Sequence, residues 1–249
     1  MKSEVDKEIR YALMQPTFMP WLGWFALLDY VDEFVIYDNA QFSRQSWHQR
    51  NKIKTANGPL LLSIPVKHEG EHQPINETKL ADTRHLKKII PAISQSYSKA
   101  EYFGEYFPEF VELLEKSMSS GSLLQLNWQI INWASDAIGI STPVKFSSDL
   151  KVTGGRGEYV ANVGKAVNSK NYVSPLGARE YLTEDIAYFD AQKITIDYLL
   201  YEHPEYKQRN GNFVSNCCIL DLLFNEGPSS LNIIRSGVNI KSHNSFSSQ

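Results

Sequence analysis

Cysteine is almost missing from this chain: two occur in 249 residues, Cys217 and Cys218, side by side. Adjacent residues reach disulfide geometry only with backbone strain, so no structural bridge is implied and a reducing compartment suits the protein. In CCILDLLFN the pair sits among apolar residues at helical spacing. That context points to two small buried thiols rather than a nucleophile or a metal ligand. A surplus of one charge is missing too. Lys and Arg number 25 against 28 Asp and Glu, a formal net charge of -3. Bulk attraction to nucleic acid is therefore not expected, and any anion site must be local. No apolar run approaches the ~20 residues that span a bilayer, and the opening MKSEVDKEIR is charged with no apolar stretch behind it. A cytoplasmic protein without membrane insertion is the expectation.

The usual phosphate-loop fingerprints are absent as well. TGGRGEY, residues 153 to 159, is neither G-x-x-x-x-G-K-[ST] nor G-x-G-x-x-G. Its glycines could expose amides to an anion, with Arg156 as a bidentate donor, or could simply form a turn leading into a helix. HEGEH, His68 to His72, satisfies the zinc pattern H-E-x-x-H in letters only. It follows a strand-like run, contains Gly70 and leads into Gln73-Pro74, so a polar loop is expected where the motif needs a helix. No metal and no cofactor is expected.

What is present is a core. Hydrophobic residues make up 42% and aromatic residues 12% of the chain, enough for a globular α/β fold. YALMQP reads as a short strand ending at Pro16. A helix carrying Trp21, Phe25, Leu28 and Val31 follows, then a buried strand over Phe34 to Tyr37. This is a compact βαβ unit, and ligands gather beyond the carboxyl ends of such strands, where Gln15 and Asp38 are expected. RNKIKTANGPLLLSIPV predicts a hairpin turning at Asn57-Gly58, with Arg50, Lys52 and Lys54 on one face and Asn51, Ile53 and Thr55 on the other.

Residues 82 to 140 carry three helical stripes, with a cap at Asp82 or Thr83, a kink or break at Pro91 and a stop near Gly139. Arg84 and His85, in the first turn, are side chains there that a ligand could use. PVKFSSDL reads as a strand, GGRGEYVANVGKAVNSK as a glycine-rich loop feeding a helix, NYVSPLGAREYL as a strand, turn and short helix, and KITIDYLLYEH as a strand followed by a CCILDLLFN helix. The polar, serine-rich NIKSHNSFSSQ predicts a flexible tail from about 238 to 249. One α/β domain with a Rossmann-like, mainly parallel sheet, a β-hairpin and a helical insertion is the expected organisation.

One stretch concentrates polar chemistry. QFSRQSWHQRNKIK, residues 41 to 54, packs two arginines, a histidine, a tryptophan, an asparagine and two lysines directly after an apolar run. A solvated hairpin is one reading, and a site for an anionic ligand is the other.

MQPTFMPWLGWFALLDYVDEFVIYDNAQFSRQSWHQRNKIKTANGPLLLSIPV resembles the start of the WbqC-like proteins, and SPLGAREYL with YEHPEYKQRNGNFVSNCCILDLLFNEG resembles their end. The likeness marks Gln15, Trp21, Gly23, Asp38, Trp47, Arg50 and Asn51 near one end and Gly177, Tyr181, His203, Tyr206 and Asp221 near the other. It departs at Cys217 and Cys218, where a serine or another small residue is expected, which argues further against thiol catalysis. The resemblance implies a role in bacterial surface-polysaccharide (O-antigen) biosynthesis, with transfer of glycine or another amino acid to a sugar.

Such a reaction needs partners of definite chemistry. A nucleotide-linked sugar carries a diphosphate, which suits Arg44, Arg50 or Arg156, while Trp47 and Tyr181 offer aromatic platforms. The donor is an activated amino acid, whether free, tRNA-borne or carrier-borne. His48, His203 and Asp38 are the candidate bases, and Asn51 is placed to orient the acyl oxygen. Each has a plainer role: an exposed loop residue, an orienter of the Pro204 turn, a partner for loop amides. Two other readings stand beside transfer. The chain could be a non-enzymatic binding module for a nucleotide sugar or a carrier, or a degenerate nucleotidylyltransferase-like protein, since PWLGW lacks both histidines of a His-x-Gly-His motif.

Overall fold

The computed structural model describes residues 9–82 and 84–246. Strand β1 (Arg10–Met14) pairs in parallel with β2 (Glu33–Ile36) through α1 (Leu22–Tyr30), the βαβ unit expected from the first apolar runs. A period of two along β1 sends Tyr11 and Leu13 to one core and Ala12 to another, so apolar layers cover both faces.

The hairpin stands apart from the main sheet as β3 (Arg50–Thr55) and β4 (Gly58–Ser63). Thr55 pairs with Gly58, so Ala56 and Asn57 make the turn, and of the Asn57-Gly58 pair only Gly58 takes positive φ, at 99°. Alternation buries Asn51 and Ile53 as expected, but the cationic stripe is not a solvated face. Lys54 is only 3% exposed, and its ammonium donates to Asn212 O at 2.7 Å.

Helices α2 (Leu86–Tyr97), α3 (Phe103–Ser119) and α4 (Leu123–Ile138) follow. Ser122 accepts from Gln125 N, and Gly139, with φ 84°, closes α4. Pro91 lies inside α2 and does not end it. Asp82 does not cap α2: it accepts from the Arg84 backbone and guanidinium, and His85 stands at the N-cap without a side-chain bond. The alternative cap, Thr83, lies outside the described residues.

The remaining elements are β5 (Val144–Phe146), α5 (Arg156–Ala166), β6 (Asn171–Pro175), α6 (Arg179–Glu184), α7 (Ile186–Gln192), β7 (Thr195–Tyr201), α8 (Ile219–Glu226), α9 (Ser230–Ser236) and β8 (Val238–Ser242). The main sheet runs β5-β2-β1-β6-β7-β8, parallel throughout except that β8 is antiparallel to β7. Residues 238 to 246 therefore correct the flexible tail: β8 registers Val238 against Tyr201 and Ser242 against Asp197. The edge position lets polar side chains face solvent while the backbone stays paired. Residues 247 to 249 lie outside the described residues.

With the hairpin set aside, the chain moves outward from β1 through β2 to β5, then crosses back to β6. This is the strand order of a doubly wound Rossmann-like sheet, and its direction reverses between β1 and β6. Helices α1, α2, α3, α4, α8 and α9 pack into the core on one side. The core on the other side takes its helical residues from α5, α6 and α7. Among the described residues, no helix is long and apolar enough to cross a membrane.

Candidate functional site

Past Met14 the chain turns through residues 15 to 21 before α1 begins, and the 43–49 loop and hairpin hold that turn. Asn51 Nδ2 donates to Phe18 O at 3.1 Å and Met19 O at 2.8 Å, fixing Met19 at φ 46°. Its Oδ1 accepts from Lys52 N at 2.8 Å. Phe18 N donates to Trp47 O at 2.9 Å. Asn51 is thus committed to shaping the turn, not to orienting an acyl oxygen.

His48 is buried beside it. Its Nε2 lies 3.0 Å from Gln15 Oε1, and its Nδ1 accepts from Ser43 N at 3.4 Å. Gln15 Oε1 can only accept, so Nε2 carries the proton and the ring is neutral. Burial agrees, pulling the His48 pKa from 6.5 down to about 4.

These residues wall a hollow of about 610 Å³ lined by Gln15, Trp21, Trp24, Trp47, His48 and Lys52. A smaller hollow of about 360 Å³ lies on its β6–β7 side and shares Met14, Trp21 and Trp24 with it. Both open at the switch point, where doubly wound sheets bind ligands. A groove of about 550 Å³ between α3 and α4 shares no lining residue with either.

Trp21 divides the two hollows. Its ring lies over Gly23, where an added Cβ would come within 2.4–2.8 Å of ring carbons. In an exposed helix Gly→Ala stabilises by about 1 kcal/mol. Here the ring must swing away, so Gly23→Ala is expected to destabilise by about 1–3 kcal/mol. Thermal melts would check the sign; a raised melting temperature would show that the ring moves freely.

The other sequence candidates scatter around this cleft. Arg50 holds its guanidinium over the Trp47 ring at 5.9 Å, with Nε buried and lacking a hydrogen-bond partner. His203 stacks on Trp21 at 6.4 Å between ring centroids. Its Nδ1 sits 3.0 Å from Pro204 O, while Nε2 is buried without a partner. Burial also lowers the His203 pKa. Arg44 lies on the exposed 43–47 loop, and His85 stands at the start of α2; neither lines the cleft.

Asp38 is a joint. Its oxygens accept from Ser147 Oγ at 2.9 Å, Ser148 N at 3.0 Å, Ser148 Oγ at 2.6 Å and Asn76 Nδ2 at 3.3 Å, which ties β2 to the segment after β5. A carboxylate so engaged has little lone-pair capacity left for a substrate proton.

Arg156 is committed elsewhere, with Nη2 2.6 Å from Glu184 Oε2 and Nε 3.5 Å from Asp185 Oδ2. Asp185 Oδ2 also accepts from Gly157 N at 2.9 Å, so the amide at the start of α5 meets the chain's own carboxylate. Tyr181 lies 5.9 Å below the Arg156 guanidinium, on the α5–α7 side of the sheet. HEGEH lies in an exposed loop, and no cluster of three potential metal-ligating acids, histidines or cysteines occurs among the described residues.

Sequence reasoning left out Trp24 and Tyr201 and treated Lys52 only as one of a stripe. Trp24 could have been found in PWLGW, because it sits in the first turn of the helix that follows the strand. The cysteines are buried as expected. Desolvation raises the Cys217 pKa to about 12 and pushes Cys218 up as well, so neither offers a thiolate near neutrality.

A doubly wound sheet with a tryptophan-walled cleft at its switch point defines a Rossmann-like α/β protein. The chain belongs to the WbqC-like protein family, whose model matches residues 15–233. It is 35% identical over 229 residues to a Mycobacterium tuberculosis protein named "Uncharacterized protein Rv1507c", across 91% of this chain and 97% of that one. No solved structure matches it.

Proposed function

We propose that the larger hollow binds a nucleotide-linked sugar and that the protein transfers glycine or another amino-acyl group to it, in bacterial surface-polysaccharide (O-antigen) assembly. The observation that carries this reading is the pairing of tryptophan faces with a cation at the switch point. Trp21 and Trp47 can stack on a base or a sugar face, and Trp47 is 53% exposed at the rim. Lys52 supplies a point charge for a diphosphate, with Arg50 behind Trp47 as a second cation. Lys52→Met is expected to raise the Kd for a nucleotide-linked sugar about tenfold, the size of one charge-assisted contact. Isothermal titration would check this, and an unchanged Kd in the folded variant would remove Lys52 from the site.

In the transfer, the sugar's amine or hydroxyl attacks the acyl carbon, the carrier leaves, and the attacking group's proton passes to a base. Of the three candidate bases, His203 has an unengaged ring nitrogen, buried beside the Trp21 ring. Purified protein with nucleotide-linked amino sugars and a panel of free, tRNA-borne and carrier-borne amino-acid donors tests the reaction by mass spectrometry. A mass gain of one amino-acid residue on the sugar is expected.

A second reading, binding without turnover, draws on a specific observation: His48 and Asp38 are already engaged, and His203 Nε2 is covered. No mass gain alongside measurable protection by the nucleotide sugar would favour it.

A further inference from the structure

We propose that the smaller hollow is a separate subsite for the amino-acyl group of the donor, taking an apolar side chain with its α-ammonium at Glu202. This rests on the acyl-transfer reading above. Three features converge on that ligand. The first is position: the hollow shares Met14, Trp21 and Trp24 with the larger one, so occupants of the two meet across a single ring.

The second is chemical contrast. The larger hollow carries Lys52, whereas the smaller is lined mainly by apolar groups such as Leu27 and Leu199, and Glu202 is the charged side chain at its edge. Glu202 is exposed and makes no ion pair among the described residues. An apolar group bearing one positive charge complements this lining, and a phosphate does not. The third is an unmet donor. The Tyr201 hydroxyl is buried without a hydrogen-bond partner, and Tyr201 lines the hollow. An acyl carbonyl would supply the missing acceptor once the ring turns to present the hydroxyl to the hollow.

The hollow also has room. A Cβ added at Gly177, which lines the hollow, would meet nothing within 4 Å, and Gly177 does not need positive φ, so a larger side chain is accepted there without backbone strain. The test titrates leucine methyl ester and its neutral N-acetyl counterpart by isothermal titration, with a nucleotide-linked amino sugar titrated in parallel. Wild-type protein is expected to favour the cationic ester. Glu202→Gln is expected to weaken the ester about threefold to fivefold, the range of an exposed ion pair, and to leave the N-acetyl compound unchanged. Gly177→Leu is expected to abolish binding of both esters while the nucleotide sugar binds as before.

Equal affinity for the two esters in wild type, or ester binding that survives Gly177→Leu, would overturn the proposal. Should Gly177→Leu fail to fold, the rim variant Glu202→Gln decides alone. Ester binding in this hollow without any nucleotide-sugar binding would uphold the subsite and overturn the proposed function.

Discussion

Asp221→Ala is expected to lower the unfolding free energy by about 3–5 kcal/mol in urea titration, because it strips the acceptor from a buried polar network. Asp221 lies on α8 and is fully buried. Oδ1 accepts from Tyr97 Oη at 2.7 Å, and Oδ2 accepts from Tyr206 Oη at 2.6 Å and Gln208 Nε2 at 2.7 Å. Tyr97 Oη in turn accepts from Lys54 N at 2.9 Å. One carboxylate thus joins α2, α8, the hairpin and the segment that covers Lys54.

Burial pushes its pKa up, and the three donors and the Lys54 charge pull it back. Alanine would leave the Tyr97 and Tyr206 hydroxyls with no acceptor, while Gln208 Nε2 would keep Val214 O. Asp221→Asn keeps one acceptor oxygen and is expected to lose about 1–3 kcal/mol, the size of one or two imperfect hydrogen bonds. If alanine and asparagine proved equally mild, under about 1 kcal/mol, the network would be holding nothing of consequence.

The second large effect is on acid stability. His48 titrates near 6.5 in the unfolded chain and near 4 in the fold. Between those values the unfolded state binds more protons, so stability rises with pH across the window and is lost as pH falls through it. A shift from 6.5 to about 4, at ~1.4 kcal/mol per unit, corresponds to a loss of about 3–4 kcal/mol. His48→Gln should abolish that component. His203 shifts in the same direction, so the informative quantity is the difference between wild type and variant measured by urea titration at pH 7 and at pH 4. Parallel pH profiles would mean that the ring is hydrated and titrates normally.

Much of the scaffold was legible because it rests on local pattern. The β1-α1-β2 unit follows from two apolar runs, and the hairpin from Asn57-Gly58. The three long helices follow from stripes such as Leu86, Ile89, Ile93 and Tyr97. β8 escaped because an edge strand needs no apolar alternation. Within the site, Gln15 and His48 belong to neighbouring motifs, and the structure joins them directly.

The failures share one cause: a side chain's partner lay far along the sequence. Lys54 reads as a surface cation until residues 211 and 212 arrive over it. Arg156 reads as an anion donor until Glu184 and Asp185 take it. Asp38 reads as a base until Ser147 and Ser148 fill its oxygens. Charge and residue type were visible in each case, but prior engagement was not.

The strand order has a consequence for a chain still being made. β1 sits between β2, which follows it at once, and β6, whose Asn171 and Tyr172 pair with Arg10 and Tyr11. Synthesis delivers the β1-α1-β2 unit and the hairpin first, so the Gln15–His48 contact can form early. The wall made by Pro175 and Leu199 comes much later, as does Cys218, which bridges to Trp21. Such non-local closure is slow, and apolar surface waits unpaired in the meantime. On a nascent chain, the rings destined for the cleft therefore stay uncovered until β6 and β7 arrive.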